Sequence, residues 1–205
     1  MHEAGARLGD FLLGYVLVLA TPGPNLLVIA GVAALRGLRG ALPLCLGVAL
    51  GAGTLNAVVA ATLGALAGAG AAPWLEAGHW IGAGLLLWVA VSVARSRPPD
   101  PAVVQRRATH GAEFGAGFCT ALTNPMTAAY FAAQFLGPLA ATGKLRLLVP
   151  ISVTTTAMVF FLGVAALLSH PACRGAALAW HRPIRLAASI MLLLMATSLA
   201  HAALQ

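Results

Sequence analysis

Charge is what this chain has least of. Only 8% of its 205 residues are Asp, Glu, Lys or Arg, against about 25% in a soluble globular domain. Apolar residues make up 60% and the mean hydropathy is +0.90. Acids are scarcer still, five against twelve Lys and Arg. This balance excludes an ordinary water-soluble domain and leaves a chain that faces lipid or the interior of a helix bundle. The net charge of +7 would suggest nucleic acid in a soluble protein. Here the cations form no single patch and stand at the ends of apolar segments, as they do in proteins oriented by the positive-inside rule. Nucleic acid is not an expected partner.

Cysteine is equally sparse. Cys45, Cys119 and Cys173 lie far apart, with no CxxC pair and no histidine at ligand spacing. Isolated cysteines in apolar surroundings behave as small buried hydrophobes, so no disulfide, metal site or thiol-based electron carrier is expected. No cluster of ionisable groups at one depth offers membrane-enzyme chemistry. The chain is read as a non-enzyme with no catalytic residues and no cofactor. His79, His170, His181 and His201 read as interfacial. The apolar run 11–21 resembles the core of a signal peptide, but no small-x-small cleavage site follows and the run resumes after Asn25. It reads as half of an uncleaved span.

What the chain does have is long apolar runs. Six spans can be drawn, at 11–35, 41–69, 80–94, 114–141, 147–169 and 184–203, each near the roughly 20 residues that cross about 30 Å of hydrocarbon. The third is short unless it begins near Pro73. Connections are brief except for residues 95–112, rich in Pro and Arg, which read as a linker between a first three-span unit (1–94) and a second (113–205). With six spans, one side of the membrane receives nine cations: Arg36 and Arg39, then Arg95, Arg97, Arg106 and Arg107, then Arg174, Arg182 and Arg185. The other side receives three: Arg7, Lys144 and Arg146. That asymmetry puts the linker in the cytoplasm and both termini outside. The short loop 73–80, with Trp74 and Trp80 as interfacial anchors and no cation, suits the outer face.

A shift of 103 residues superposes Asp10 on Glu113, Phe11 on Phe114, Gly14 on Gly117 and Pro22 on Pro125. Three spans per unit is an odd number, so the second copy is inverted in the membrane, as in many secondary transporters. The expected fold is an all-α membrane protein of six transmembrane helices, built as two inverted three-helix repeats whose first and fourth helices are broken.

The breaks are Thr21-Pro22-Gly23-Pro24-Asn25 and Thr123-Asn124-Pro125. Pro22 and Pro24 withhold the helical donors of the Val18 and Ala20 carbonyls, and Pro125 withholds that of Ala121. Asn124-Pro125 is an N-cap followed by proline at the first helical position; Thr21-Pro22 or Gly23-Pro24 can play the same part in the first unit. Each break then starts a half-helix at the midplane, presenting roughly half a positive charge that suits a carboxylate. The freed carbonyls, with Asn25, Asn124 and Asn56 of the second span, can accept from an ammonium. A zwitterionic amino acid meets both demands. The competing reading is a pair of proline kinks repaired by neighbouring helices. Gly47, Gly51 and Gly53 read first as close helix packing. The Gly47/Gly51 spacing also permits a homodimer. Asp10 and Glu113 fall about 18 Å of helix before the breaks; they read either as acids favourably placed at helix N-termini or as groups for proton coupling or gating.

These residues resemble those of the lysine exporter/homoserine–threonine exporter (LysE/RhtB) family of bacterial inner-membrane carriers. The matching stretches are Thr21-Pro22-Gly23-Pro24-Asn25 with Arg36-Gly37, then Gly47-Val48-Ala49-Leu50-Gly51, then Ala121-Leu122-Thr123-Asn124-Pro125 through Tyr130-Phe131 to Gln134-Phe135. The resemblance implies six spans in the cytoplasmic membrane, export of amino acids or close analogues, and coupling to the proton-motive force. The motif residues it carries over are Pro22, Gly23, Pro24, Asn25, Asn124 and Pro125. Where the family often has lysine after the Asn-Pro pair, this chain has Met126. No acid lies deep in any span, so a cationic side chain would lack a counter-charge where charge is expensive. A neutral substrate of threonine, homoserine or leucine kind is expected, moved against protons across the bilayer. The alternative is an ion or metal exporter or channel of the same superfamily, which calls for Cys, His or carboxylate ligands inside spans.

Overall fold

The computed structural model describes residues 2–21, 24–68, 72–95, 109–139 and 148–170, together with helical positions at 186, 189–190, 193–194, 196–198 and 200–201. Pro22 and Gly23 of the first break, linker residues 96–108 and much of the expected sixth span lie outside the described residues. Among the described residues every regular element is an α-helix, in the order α1 (His2–Ala20), α2 (Pro24–Gly68), α3 (Ala72–Arg95), α4 (His110–Leu122), α5 (Pro125–Leu136) and α6 (Val149–Ser169). The first expected span is therefore α1 plus the start of α2, and the fourth is α4 plus α5. Both break where proline withholds a donor. The third span begins at Ala72 rather than at Trp80 and reaches full length, so the expected loop 73–80 is helical, with Pro73 in the first turn where proline is tolerated.

One placement differs. Asp10 is not at a helix N-terminus: α1 starts at His2, so Asp10 is its ninth residue, and it is exposed. The apolar run beginning at Phe11 is only part of a longer helix. Glu113, by contrast, sits in the first turn of α4 and is buried.

Helix α2 is two helical segments joined at a kink. At Gly37 the backbone adopts φ 71°, ψ 179°, a left-handed φ that glycine adopts without steric cost. Before it, α2 runs from Asn25, beside Asn124, to Arg36, beside Glu113, antiparallel to α4. After it, Gly47 lies against Phe114 and Gly51 against Phe118 and Ala121, parallel to α4. The chain reverses at Gly37, giving two spans from one element.

The second part of α2 is the centre of the bundle, packed on α4 and on α6, while α3 packs on α5. Small residues set these approaches. A Cβ on Gly117 would stand 2.6 Å from the Leu44 carbonyl oxygen, and one on Gly47 would stand 2.9 Å from the Phe118 nitrogen. Gly53 is similarly filled by Thr154 of α6. The Gly47 and Gly117 contacts are backbone on backbone, the packing that membrane helices use in place of a hydrophobic drive. Gly47 and Gly51 are thus occupied inside the chain.

Outside, the bundle is apolar. Leu38, Leu42, Leu46 and Leu50 form an exposed stripe one turn apart on α2, and Ile151 and Val159 stand out from α6. Two stretches, Val28–Ala65 and Val149–Ser169, are long and apolar enough to cross a membrane.

Candidate functional site

The two breaks meet. Val18, Leu19 and Thr21 from the end of α1, Asn25 and Leu26 from the start of α2, Asn124, Met126 and Thr127 from the second break, and Phe161 of α6 line one cavity of about 30 Å³. A water needs about 10–15 Å³ of such space, so the cavity as it stands holds a water or two. The cavity is small, and any larger ligand requires the helices around it to part.

At the second break the chain does what Asn-Pro dictates. Asn124 is the N-cap of α5, its Oδ1 accepting from the Met126 nitrogen at 3.0 Å and the Thr127 nitrogen at 3.4 Å, with Pro125 in the first turn. Thr123 closes α4: its hydroxyl donates to the Cys119 carbonyl at 2.7 Å, and the side chain is exposed, outside the cavity. At the first break α2 starts at Pro24. Thr21, nearly fully buried, turns backward and donates its hydroxyl to the Leu17 carbonyl at 3.0 Å.

Of the three carbonyls that proline releases, those of Val18 and Ala121 are not left free. The Thr21 N–H reaches the Leu17 and Val18 carbonyls at 3.1 and 3.2 Å, and the Asn124 N–H reaches that of Ala121 at 3.3 Å. Each last turn tightens to i→i+3 bonding, the usual repair of orphan carbonyls. The unspent acceptor is instead a side chain: Asn25 Oδ1 is buried beside the cavity without a hydrogen-bond partner. A buried polar atom left unpaired costs about 1–3 kcal/mol, so it marks a position where a donor is due.

Asn56 is placed elsewhere. It is fully buried with both amide atoms unpartnered, but it does not line this cavity. Cys45 is level with Phe161, donating its thiol to that carbonyl, and Asn56 is eleven residues further along α2, about 16 Å at 1.5 Å per residue.

The cavity is closed differently at its two ends. On the α1/α5 side, Phe11, Tyr15, Tyr130 and Phe131 form a buried aromatic cluster with centroids 5.4–6.4 Å apart. Tyr130 donates its hydroxyl to the Phe11 carbonyl at 2.7 Å. On the other side, Arg36 pairs with Glu113. Sequence reasoning has Arg36 as an orienting cation and part of the Arg36-Gly37 motif, without its partner, and does not single out Leu19, Leu26, Thr127 or Phe161. Helical spacing from the breaks could have pointed to Thr127; nothing in the sequence singles out Phe161.

A helical bundle with an apolar exterior, and two helices broken at one internal cavity, defines a membrane-embedded carrier. The chain belongs to the LysE type translocator family, which matches residues 16–203 and so takes in both breaks and the whole cavity. Members of that family are integral membrane translocators of small molecules rather than enzymes, and the family suggests export of amino acids or related substrates. No curated protein and no solved structure matches the chain.

Proposed function

We propose that the protein exports a neutral amino acid, of threonine, homoserine or leucine kind, across the cytoplasmic membrane by proton antiport, through alternating access to the cavity between the breaks. The observation that carries this reading is the buried, unpartnered Asn25 Oδ1 at the point where two half-helices begin. Asn124 already caps α5, whereas the residue before Pro24 is a glycine with no side chain to cap α2. The substrate carboxylate therefore belongs at the start of α2, where the dipole and free N–H groups favour an anion. Its ammonium belongs at Asn25 Oδ1. Val18, Leu19, Leu26, Met126 and Phe161 leave the substrate side chain an apolar wall without a charge. Thr21, Pro22, Gly23, Pro24, Asn124 and Pro125 are assigned to the site as the frame of the two breaks, with Asn56 and Thr123 contributing from outside the described cavity.

The topology goes with this reading: units 1–94 and 113–205 as inverted repeats, the linker cytoplasmic, both termini outside. The packing of α4 on the second part of α2 has its counterpart in that of α1 on α6, the pairing a two-fold relation within the membrane calls for. Of the side chains described, Glu113 is the buried acid and Asp10 an exposed one, so proton handling goes to Glu113. An ion or metal exporter gains no support: among the described residues no group of three His, Cys, Asp or Glu stands together.

The test is efflux of a labelled amino-acid panel from preloaded proteoliposomes, with and without an imposed proton gradient, for the parent protein, Asn25→Ala and Asn124→Ala. Gradient-driven efflux of a neutral amino acid, lost in both variants, is expected. Arginine-selective transport would overturn the neutral substrate. No movement of any amino acid, with both variants like the parent, would reduce the breaks to structural kinks.

A further inference from the structure

We infer that the Arg36–Glu113 pair is the latch of the linker-side gate, released to open the cavity from that face and re-formed to close it. The inference rests on the transport reading in that it takes the cavity to be a transport site.

The geometry isolates this pair. Arg36 is eleven residues after Asn25 on α2, and Glu113 is eleven residues before Asn124 on α4, so each lies about 16 Å of helix from the cavity. The pair ties together the far ends of the two half-helices that flank the cavity on one side. No other Lys or Arg pairs with an acid among the described residues, and Asp10, the repeat counterpart of Glu113, is exposed with no ion pair. The ionic closure is therefore one-sided, and the opposite side is closed by the aromatic cluster.

The local sequence is arranged to deliver Arg36 to Glu113. Gly37, directly after Arg36, takes the left-handed backbone at which α2 reverses. At Gly40 a Cβ would stand 2.6 Å from the Arg36 Cβ and 3.4 Å from its Nε. Gly40 thus leaves the slot through which the guanidinium stem passes. On the other helix, Thr109 caps α4, accepting from the Ala112 nitrogen at 3.3 Å, and fixes the turn that carries Glu113.

The pair is also incomplete, as a part that must come apart should be. Arg36 engages only one carboxylate oxygen. The other, Oε2, is buried without a hydrogen-bond partner, with the exposed His110 Nδ1 at 3.9 Å. A static brace gains most from a bidentate fork that satisfies both oxygens, and a half-satisfied buried carboxylate is a poor one. Arg36 keeps 28% of its side chain exposed, so it has water to return to when the pair opens, whereas Glu113 has little. Parting is set by the balance between two conformations, not by breaking the fold.

The test reads access to the cavity rather than transport. Thr127→Cys, in a background with Cys45, Cys119 and Cys173 replaced, is labelled by a membrane-impermeant thiol reagent applied from either face of the membrane. Arg36→Gln and Glu113→Gln are each expected to raise the labelling rate from the linker face by about tenfold without raising it from the opposite face. The exchanged pair, Arg36→Glu with Glu113→Arg, returns the rate toward the parent, and Asp10→Asn leaves it unchanged. A linker-face rate unaltered by both single variants, or raised equally from both faces, overturns the latch. So does unfolding of the single variants with a stable exchanged pair, which would make the pair a brace. Because labelling needs no substrate, intact gating without amino-acid efflux sinks only the transport reading, and efflux without a change in gating sinks only the latch.

Discussion

The two broken helices end at one cavity but are held in different ways. Helix α4 is clamped by glycines: its backbone lies directly on that of α2 at Gly47, Gly51 and Gly117, and an ion pair fixes its first turn. Helix α1 is held on α5 by four aromatic rings and one tyrosine hydroxyl. The breaks differ in the same sense. Asn124 spends its oxygen on the helix it starts, while Asn25 keeps its own unspent. The second break reads as frame and the first as receptor. The two breaks thus divide the labour, and substitutions at their matched positions should have unequal effects.

The largest effect belongs to the glycine clamp. In Gly51→Leu a Cβ alone would meet the Ala121 Cβ at 3.0 Å and the Phe118 carbonyl more closely still. Backbone cannot give way as a side chain can, so the cost should reach or exceed the upper end of the roughly 1–3 kcal/mol typical of overpacking. Loss of a monodisperse peak in detergent, or a fall of many degrees in the unfolding midpoint, is expected. Gly84→Leu on α3, where a Cβ meets nothing within 4 Å, should leave both unchanged. Equal tolerance at the two positions would remove the clamp from the comparison.

Next comes the cap. Asn124→Ala leaves the Met126 and Thr127 nitrogens without their acceptor, at a cost of about 1 kcal/mol, and a lower melting midpoint should accompany the loss of transport. Asn25→Ala removes an acceptor that has no partner, so the fold loses no hydrogen bond. Its midpoint should match or exceed the parent's while transport is lost. This pair sharpens the comparison most. If Asn25→Ala destabilises as much as Asn124→Ala, the first break is frame as well, and the assignment of the ammonium to it fails.

Much of this was legible because proline and glycine act locally. Pro22, Pro24 and Pro125 fix where helices stop whatever surrounds them, so the breaks and the Asn124 cap could be read from the chain alone, whereas Pro73 suggested a loop where α3 in fact begins. The reading of Gly47, Gly51 and Gly53 as close packing also held, since a missing side chain next to apolar turns has few other uses. What could not be read was which distant partner fills a valence. The carbonyls of Val18 and Ala121 lose donors by rule but regain them from Thr21 and Asn124 by a small tightening of the turn. Arg36 counts toward orientation on any reading, and only tertiary contact reveals Glu113 beside it. Asp10 resembles Glu113 in register, yet the extra helix before it changes its surroundings entirely.

The smallest effects separate the two tyrosines that close the α1/α5 side. Both are fully buried in one cluster and their rings lie 6.4 Å apart, so burial and stacking do not distinguish them. Their hydroxyls do. Tyr130 donates to the Phe11 carbonyl, and Tyr130→Phe should lower the unfolding midpoint by the worth of one neutral hydrogen bond, about 0.5–1.5 kcal/mol. The Tyr15 hydroxyl is buried with no partner, so Tyr15→Phe removes an unmet polar group and leaves the packed ring behind. Its midpoint should be unchanged or slightly higher. If the aromatic side must open during transport, the looser Tyr130→Phe protein should also admit a thiol reagent to Thr127→Cys faster from that face, with the linker-face rate unmoved. Equal losses of stability from the two variants would mean that Tyr15 finds a donor or acceptor in the working protein. The aromatic closure would then be hydrogen-bonded on both helices, and the contrast between a polar latch on one side of the cavity and an apolar seal on the other would have to be given up.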